Sequence, residues 1–264
     1  MSKKVVWIVG ASSGIGEGLA KEYSRRGALV VLSARRVPEL ERVRSELASP
    51  DAALCVPYDV TDFAGAEEVV SGVLAEVGHV DVLINNAGID YKDWVRNTPL
   101  SIYQRVTDIN YYGNISLTLA LLPSLRPGAQ VAVVSSINGV LSDKCSSAYA
   151  AAKHALLGFY DALRAEQPEL IVSVIVPGFV ATPITVNSIN GGGQTYGERS
   201  EASLTGMSVD RFSTRAVDAL ERHRPLIVIA GLTERLAVRL HRWFPSLFYR
   251  IVARASPEYE NNNR

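Results

Sequence analysis

Seven short runs of β-branched and aliphatic residues recur along this chain, at residues 5–9, 29–33, 53–57, 80–84, 130–135, 170–176 and 225–230. Each is short enough for a strand and too continuously apolar for a strand with one wet face. Longer amphipathic stretches lie near 37–48, 61–76, 100–122 and 148–166, and another follows the first run and reaches about Gly27. A parallel crossover needs an intervening helix, and each helix must bury its apolar stripe. The pattern therefore predicts an α/β protein: a doubly wound parallel sheet of about seven strands with helices on both faces.

The chain's 264 residues suit one such domain. We expect a single catalytic domain over 1–231, carrying a substrate loop at about 178–207. A helical extension and tail should occupy 232–264. Twenty-seven Lys and Arg balance twenty-seven Asp and Glu, so no net field draws the chain to nucleic acid. Cys55 and Cys145 stand outside any CxxC or Cys/His cluster. His79, His154, His223 and His241 show no metal-ligand spacing, so neither a disulfide scaffold nor a metal site is expected. The five apolar residues before Gly10 are too few for a signal-peptide core. No uninterrupted apolar run reaches the roughly 18 residues of a membrane span. A cytoplasmic location, in a reducing compartment, fits these features.

The first run ends on Gly10-Ala11-Ser12-Ser13-Gly14-Ile15-Gly16, at the head of a helix. Gly10 permits a tight turn, Gly14 permits close approach of a pyrophosphate, and Gly16 permits close helix–strand packing. The helix amides and dipole then favour phosphate charge. A plain strand–helix turn can also carry three glycines. The position after the first strand favours the dinucleotide reading and makes the sheet Rossmann-type. The second strand ends Ser33-Ala34-Arg35-Arg36, where an NAD binder often places an acid. Arg35 and Arg36 suit a ribose 2′-phosphate, so NADP(H) is expected in preference to NAD(H). The competing reading is two solvated arginines at a helix start.

Further features follow in order: Asn85-Asn86-Ala87-Gly88 after the fourth strand, Asn110 in the next helix, and Ser135-Ser136 at the end of the fifth strand. Then come Tyr149-Ala150-Ala151-Ala152-Lys153 and Pro177-Gly178 after the sixth strand. Together with the glycine turn they resemble the compact single-domain branch of the short-chain dehydrogenase/reductase family, over about residues 4–183. The resemblance implies that Ser12, Ser13 and Ile15 line the pyrophosphate and ribose. It puts Asp59 and Val60 at the adenine and Asn86, Ala87 and Gly88 along the adenosine ribose. Pro177, Gly178, Val180 and Thr182 would lie toward the nicotinamide, with Thr182 at its amide. Ser136, Tyr149 and Lys153 would be catalytic, with Asn110 in support. A homodimer or homotetramer is also implied, pairing through helices around 100–122 and 148–166.

The residues carry their own chemical argument. Tyr149 and Lys153 are four apart on a predicted helix and share a face. A free phenol is a poor base at pH 7, and a nearby ammonium favours the phenolate. Ser136, at a strand's carboxyl end, can hold a substrate oxygen. Asn110 can shape the mid-helix backbone and position a water beside Lys153. The predicted activity is an NADP(H)-dependent carbonyl reductase or alcohol dehydrogenase, with Tyr149 as acid/base. A non-catalytic dinucleotide sensor or scaffold is the alternative; it predicts loss of one catalytic residue, and none is lost. A nucleotide-sugar epimerase or dehydratase needs a larger domain after the sheet than this chain has.

Specificity should lie in 89–94, 138–145 and the loop after Pro177, through Tyr91, Trp94, Val140, Leu141, Phe179 and Ile184. These apolar side chains suit a hydrophobic ketone or alcohol. Cys145 either lines that pocket or packs behind it. Toward the C-terminus, Leu232, Leu236, Leu240, Trp243, Leu247 and Ile251 recur at helical spacing among Arg235, Arg239, Arg242, Arg250 and Arg254. Pro245 should split or kink this helix. The stripe fits three places: the chain's own domain, a partner subunit, or a membrane surface touched peripherally.

Overall fold

The computed structural model describes residues 3–195, 197 and 204–255. Seven strands form one parallel sheet: β1 (Val5–Val9), β2 (Leu29–Ala34), β3 (Ala53–Pro57), β4 (Val82–Asn85), β5 (Gln130–Val134), β6 (Ile171–Pro177) and β7 (Leu226–Ile229). Their order across the sheet is β3-β2-β1-β4-β5-β6-β7. Winding reverses between β1 and β4, and a crevice opens there at the strands' carboxyl ends. The α/β fold expected from the seven apolar runs is the one found.

Alternate residues of each strand feed opposite layers. Val6, Ile8, Val30, Leu32 and Ile84 face one layer, with α1 (Gly14–Arg25), α2 (Val37–Ser45) and α7 (Val209–Glu221). Val5, Trp7, Val31, Leu83 and Val133 face the other, with α3 (Ala66–Val77), α5 (Gly113–Leu121) and α6 (Ser147–Glu166). Trp7 is fully buried, and its indole N–H donates to Ser33 Oγ at 2.8 Å, so no polar group is stranded there.

Three departures from the sequence pattern have local causes. The helix expected from residue 61 begins at Ala66, because Asp59 and Asp62 accept hydrogen bonds from the Thr61 and Gly65 amides and hold turns there. The helix expected over 100–122 is α4 (Leu100–Thr107) and α5 joined by a π-helical turn, Asp108–Tyr112. α7 follows the irregular loop and was not anticipated. Pro245 separates the last two helices, α8 (Leu232–Trp243) and α9 (Pro245–Arg254). Among the described residues, no helix is long and apolar enough to cross a membrane.

Candidate active site

The carboxyl ends of the central strands open onto a cavity of about 1110 Å³. One end is built by the glycine turn. Gly10 has φ +82°, and its amide donates to the Ser33 carbonyl at 2.7 Å. A Cβ there would lie 2.7 Å from the Ala87 nitrogen, so only glycine lets β1 close against the loop after β4. Asn86 Nδ2 donates to the Gly10 carbonyl at 2.9 Å and ties the two loops together. Ser13 does not cap α1 through its side chain. The helix therefore begins at the wall, beside Gly14 and Ile15, with its partial positive charge toward the cavity.

Ser12, Ser13, Arg35, Arg36, Asp59, Val60, Asn86, Ala87 and Gly88 line this end. Arg36 donates to Ser12 Oγ at 3.2 Å, and Arg35 pairs loosely with Asp59 at 3.7 Å. Pro177, Gly178, Val180 and Thr182 line the cavity where β6 ends. Gly16 is not on the wall; it packs beneath it, against the Gly10 carbonyl.

At the other end Ser136, Tyr149 and Lys153 share the wall. Ser136 leaves β5 in extended conformation, and its Oγ accepts the Asn138 amide at 3.1 Å. That bond fixes the hydroxyl at the head of a short 3₁₀ turn. Tyr149 and Lys153 lie one turn apart on α6. Lys153 Nζ sits 5.7 Å from the Tyr149 ring centroid and donates to the Val134 carbonyl at 2.9 Å. Burial pulls the Lys153 ammonium down to about 8, against the pull of Asp90. Burial, then the Asp90 carboxylate, pushes the Tyr149 phenol above its ordinary range; the hydrogen bond to Ser136 works the other way. The lowering of this phenol expected from a nearby ammonium is not what is found: burial dominates and holds it up.

Asn110 lies under the wall rather than on it. Its Oδ1 accepts the Ile89 amide and its Nδ2 donates to the Ile89 carbonyl, each at 3.0 Å. Both ends of the carboxamide thus brace the β4 loop from within the π-helical turn. Behind it, Asn85, Thr118 and Tyr160 form a fully buried hydrogen-bonded triangle with sides of 2.8–2.9 Å.

The substrate end is more polar than expected. Leu141, Phe179 and Ile184 line it, whereas Tyr91, Trp94 and Val140 do not. Tyr91 is fully buried, with its hydroxyl on Thr98, and Trp94 stacks on Arg96. Cys145 is also buried off the wall. In their place stand Asp90, Lys92, Asn138 and Asp143. Asp90 is buried, and desolvation raises its pKa although Lys92 opposes this. Sequence reasoning passed over it, because one acid in a loop has no spacing to recognise. Among the described residues, no group of His, Cys, Asp or Glu could hold a metal.

A sequence model of the short chain dehydrogenase family matches residues 4–191. The chain is 37% identical over 267 residues to a dehydrogenase/reductase SDR family protein 7-like of Drosophila melanogaster, covering 98% of this chain and 82% of that one. It is 38% identical over 260 residues to dehydrogenase/reductase SDR family member 7B of Bos taurus, covering 94% and 80%. Among solved structures, an alcohol dehydrogenase from the archaeon Thermococcus sibiricus, complexed with 5-hydroxy-NADP, superposes with a TM-score of 0.74. That match has 25% identity and covers 87% of this chain and 96% of the other. The chain belongs to the short-chain dehydrogenase family, a family of oxidoreductases.

Proposed function

We propose that this protein is an NADP(H)-dependent oxidoreductase that interconverts a ketone or aldehyde with its alcohol, using Tyr149 as acid/base. The observation that carries this reading is one cavity with a glycine cradle and two arginines at one end and Ser136, Tyr149 and Lys153 at the other. The cradle fits a dinucleotide because backbone, not side chain, forms its surface at Gly10 and Gly14, at a helix start. Likeness to a protein solved with 5-hydroxy-NADP supports the same cofactor class.

Ser12, Ser13 and Ile15 would hold the phosphates, Arg35 and Arg36 the 2′-phosphate, and Asp59 and Val60 the adenine. Asn86, Ala87 and Gly88 would follow the adenosine ribose. Pro177, Gly178, Val180 and Thr182 would meet the nicotinamide, which when bound supplies or accepts hydride. Ser136 holds the substrate oxygen. Tyr149 gives that oxygen its phenolic proton in reduction and takes it back in oxidation. Lys153 keeps a positive charge beside the phenol at pH 7 and would hold the nicotinamide ribose. Asn110 acts as a positioning residue by fixing the loop at Ile89. Leu141, Phe179 and Ile184 would receive an apolar substrate body, and Asp90 with its neighbours would meet any polar group on it. Exposed Tyr112 in the π-helical turn and exposed Leu119 on α5 support pairing of two copies through the helices around 100–122 and 148–166.

Two measurements bear on this reading. Arg35→Ala/Arg36→Ala should weaken NADPH binding about tenfold or more and leave NADH binding nearly unchanged. Fluorescence titration of the reduced cofactors reads this directly, and equal losses for both would remove the 2′-phosphate assignment. Asp90→Asn should move the pH profile of alcohol oxidation to lower pH. The Asp90 carboxylate disfavours the Tyr149 phenolate, so its removal lets the phenol ionise earlier, with Asp143 still in place. A profile that stays put, or moves up, would take Asp90 out of the electrostatics of the site.

A further inference from the structure

The last two helices leave most of their apolar stripe exposed, although Leu240 is half-buried. On α8, Leu232, Leu236 and Trp243 fall on one stripe and are 74%, 52% and 70% exposed. No residue of α8 is buried. Its inward side carries Glu234, Ala237 and His241 instead. Glu234 accepts the Phe179 amide at 3.3 Å, Ala237 lines the cavity, and the His241 ring lies 5.0 Å from that of Phe248. On α9, Phe248 is buried while Leu247 and Ile251 are exposed, as is Phe244 between the two helices. A helix that belongs on its own domain buries its stripe. This pair buries Phe248 and half-buries Leu240 but leaves Leu232, Leu236, Trp243, Leu247 and Ile251 exposed, which argues against the first of the three placements the sequence left open.

Charge decides between the other two. Arg235, Arg239, Arg242, Arg250 and Arg254 are all exposed, and Glu234 is the one acid between 232 and 255. None of the five arginines forms an ion pair among the described residues. A second copy seated on this face would bring two cationic surfaces together, at a cost in repulsion. An anionic lipid surface neutralises the arginines and accepts the apolar stripe, with Arg242 and Trp243 stacked at 5.7 Å as an interfacial pair. We propose that α8 and α9 dock the protein on a membrane surface that carries anionic phospholipids. Because Glu234 and Ala237 belong to the cavity wall, docking would bring the cavity's mouth to the lipid.

The test is co-sedimentation of the full chain with vesicles of phosphatidylcholine alone or mixed with phosphatidylserine. It uses no enzymatic readout, so it stands or falls apart from the reaction proposed above. We expect pelleting with the mixed vesicles, little with phosphatidylcholine alone, and a blue shift of tryptophan emission that Trp243→Phe removes. Leu236→Glu/Trp243→Glu and Arg239→Glu/Arg242→Glu should each lose about tenfold or more in vesicle affinity. All four positions are exposed, so an unchanged melting temperature checks the fold. Failure to pellet with either vesicle overturns the proposal. So does equal binding to both vesicles, or binding that survives the arginine reversal. A dimer in sedimentation velocity that Leu236→Glu/Trp243→Glu splits, with no vesicle binding by wild type, would assign the face to a second copy instead.

Discussion

Tyr149→Phe is expected to lower turnover about a thousandfold while leaving NADPH affinity within about twofold. The substitution removes one oxygen from a well-filled site. The ring packs among Tyr91, Ile102, Val106, Ala148, Ala152 and Ile189, and phenylalanine retains those contacts. Lys153 keeps its bond to Val134, and Ser136 keeps its cap on Asn138. On the proposed mechanism, what disappears is the proton that the alcohol or carbonyl oxygen exchanges. Steady-state kinetics over a panel of ketones and aldehydes, paired with a fluorescence titration of NADPH, separates chemistry from binding. A variant that keeps wild-type turnover would show that another group moves the proton. A variant that fails to bind cofactor would show that the hydroxyl's role is structural.

Gly16→Ala should be as damaging to the fold as Tyr149→Phe is to the chemistry. A Cβ at Gly16 would stand 2.1 Å from the Gly10 carbonyl oxygen and 2.6 Å from Asn86 Nδ2. The first neighbour is backbone at a positive-φ turn and cannot swing aside. Relief must come from pushing α1 off β1 or from breaking the 2.9 Å Asn86–Gly10 bond. We expect a loss of about 3 kcal/mol, a fall of roughly 10 °C in melting temperature, and loss of dinucleotide binding. Gly72→Ala on α3 supplies the contrast. Nothing lies within 4 Å of its added carbon, so it should hold or raise stability by about 0.5 kcal/mol. Differential scanning calorimetry compares the two; a Gly16→Ala protein that melts like wild type would mean that the turn is looser than its geometry.

The sheet was legible because its central strands, β2, β1, β4, β5 and β6, are buried on both faces and read as unbroken apolar runs. The edge strands β3 and β7 keep the apolar composition, although β3 is half-buried and Leu226 and Val228 of β7 are exposed. The helices were less so. The signals of α7 were present: Ser208, whose Oγ accepts the Arg211 amide, and Phe212, Ala216, Val217 and Leu220 on one buried face. The irregular stretch before it hid its start. The candidate site was legible where residue type and order carry the information, as at Gly10, Ser136, Tyr149 and Lys153. It was not legible in loops, where the direction of a side chain depends on tertiary contacts. Tyr91 points into the core rather than the pocket because its strand-like bridge to Ile189 and its bond to Thr98 turn it inward. Asp90, next to it, points the other way and ends at the cavity. A one-residue step in an extended segment reverses the face, and composition alone cannot say which neighbour faces in.

The strand order has a consequence for the growing chain. As synthesis proceeds, β1, β2 and β3 can associate as a half-sheet, yet β1 then offers its second edge to solvent until β4 arrives. The Gly10 turn leans on Ala87 and Gly14 leans on Thr182, so the nucleotide cradle stays incomplete until some 170 residues after the turn itself have been made. Dinucleotide can therefore reward only a late intermediate, not the nascent half-sheet. Such a chain depends on long-range pairing, folds slowly, and leaves an aggregation-prone edge open while it waits.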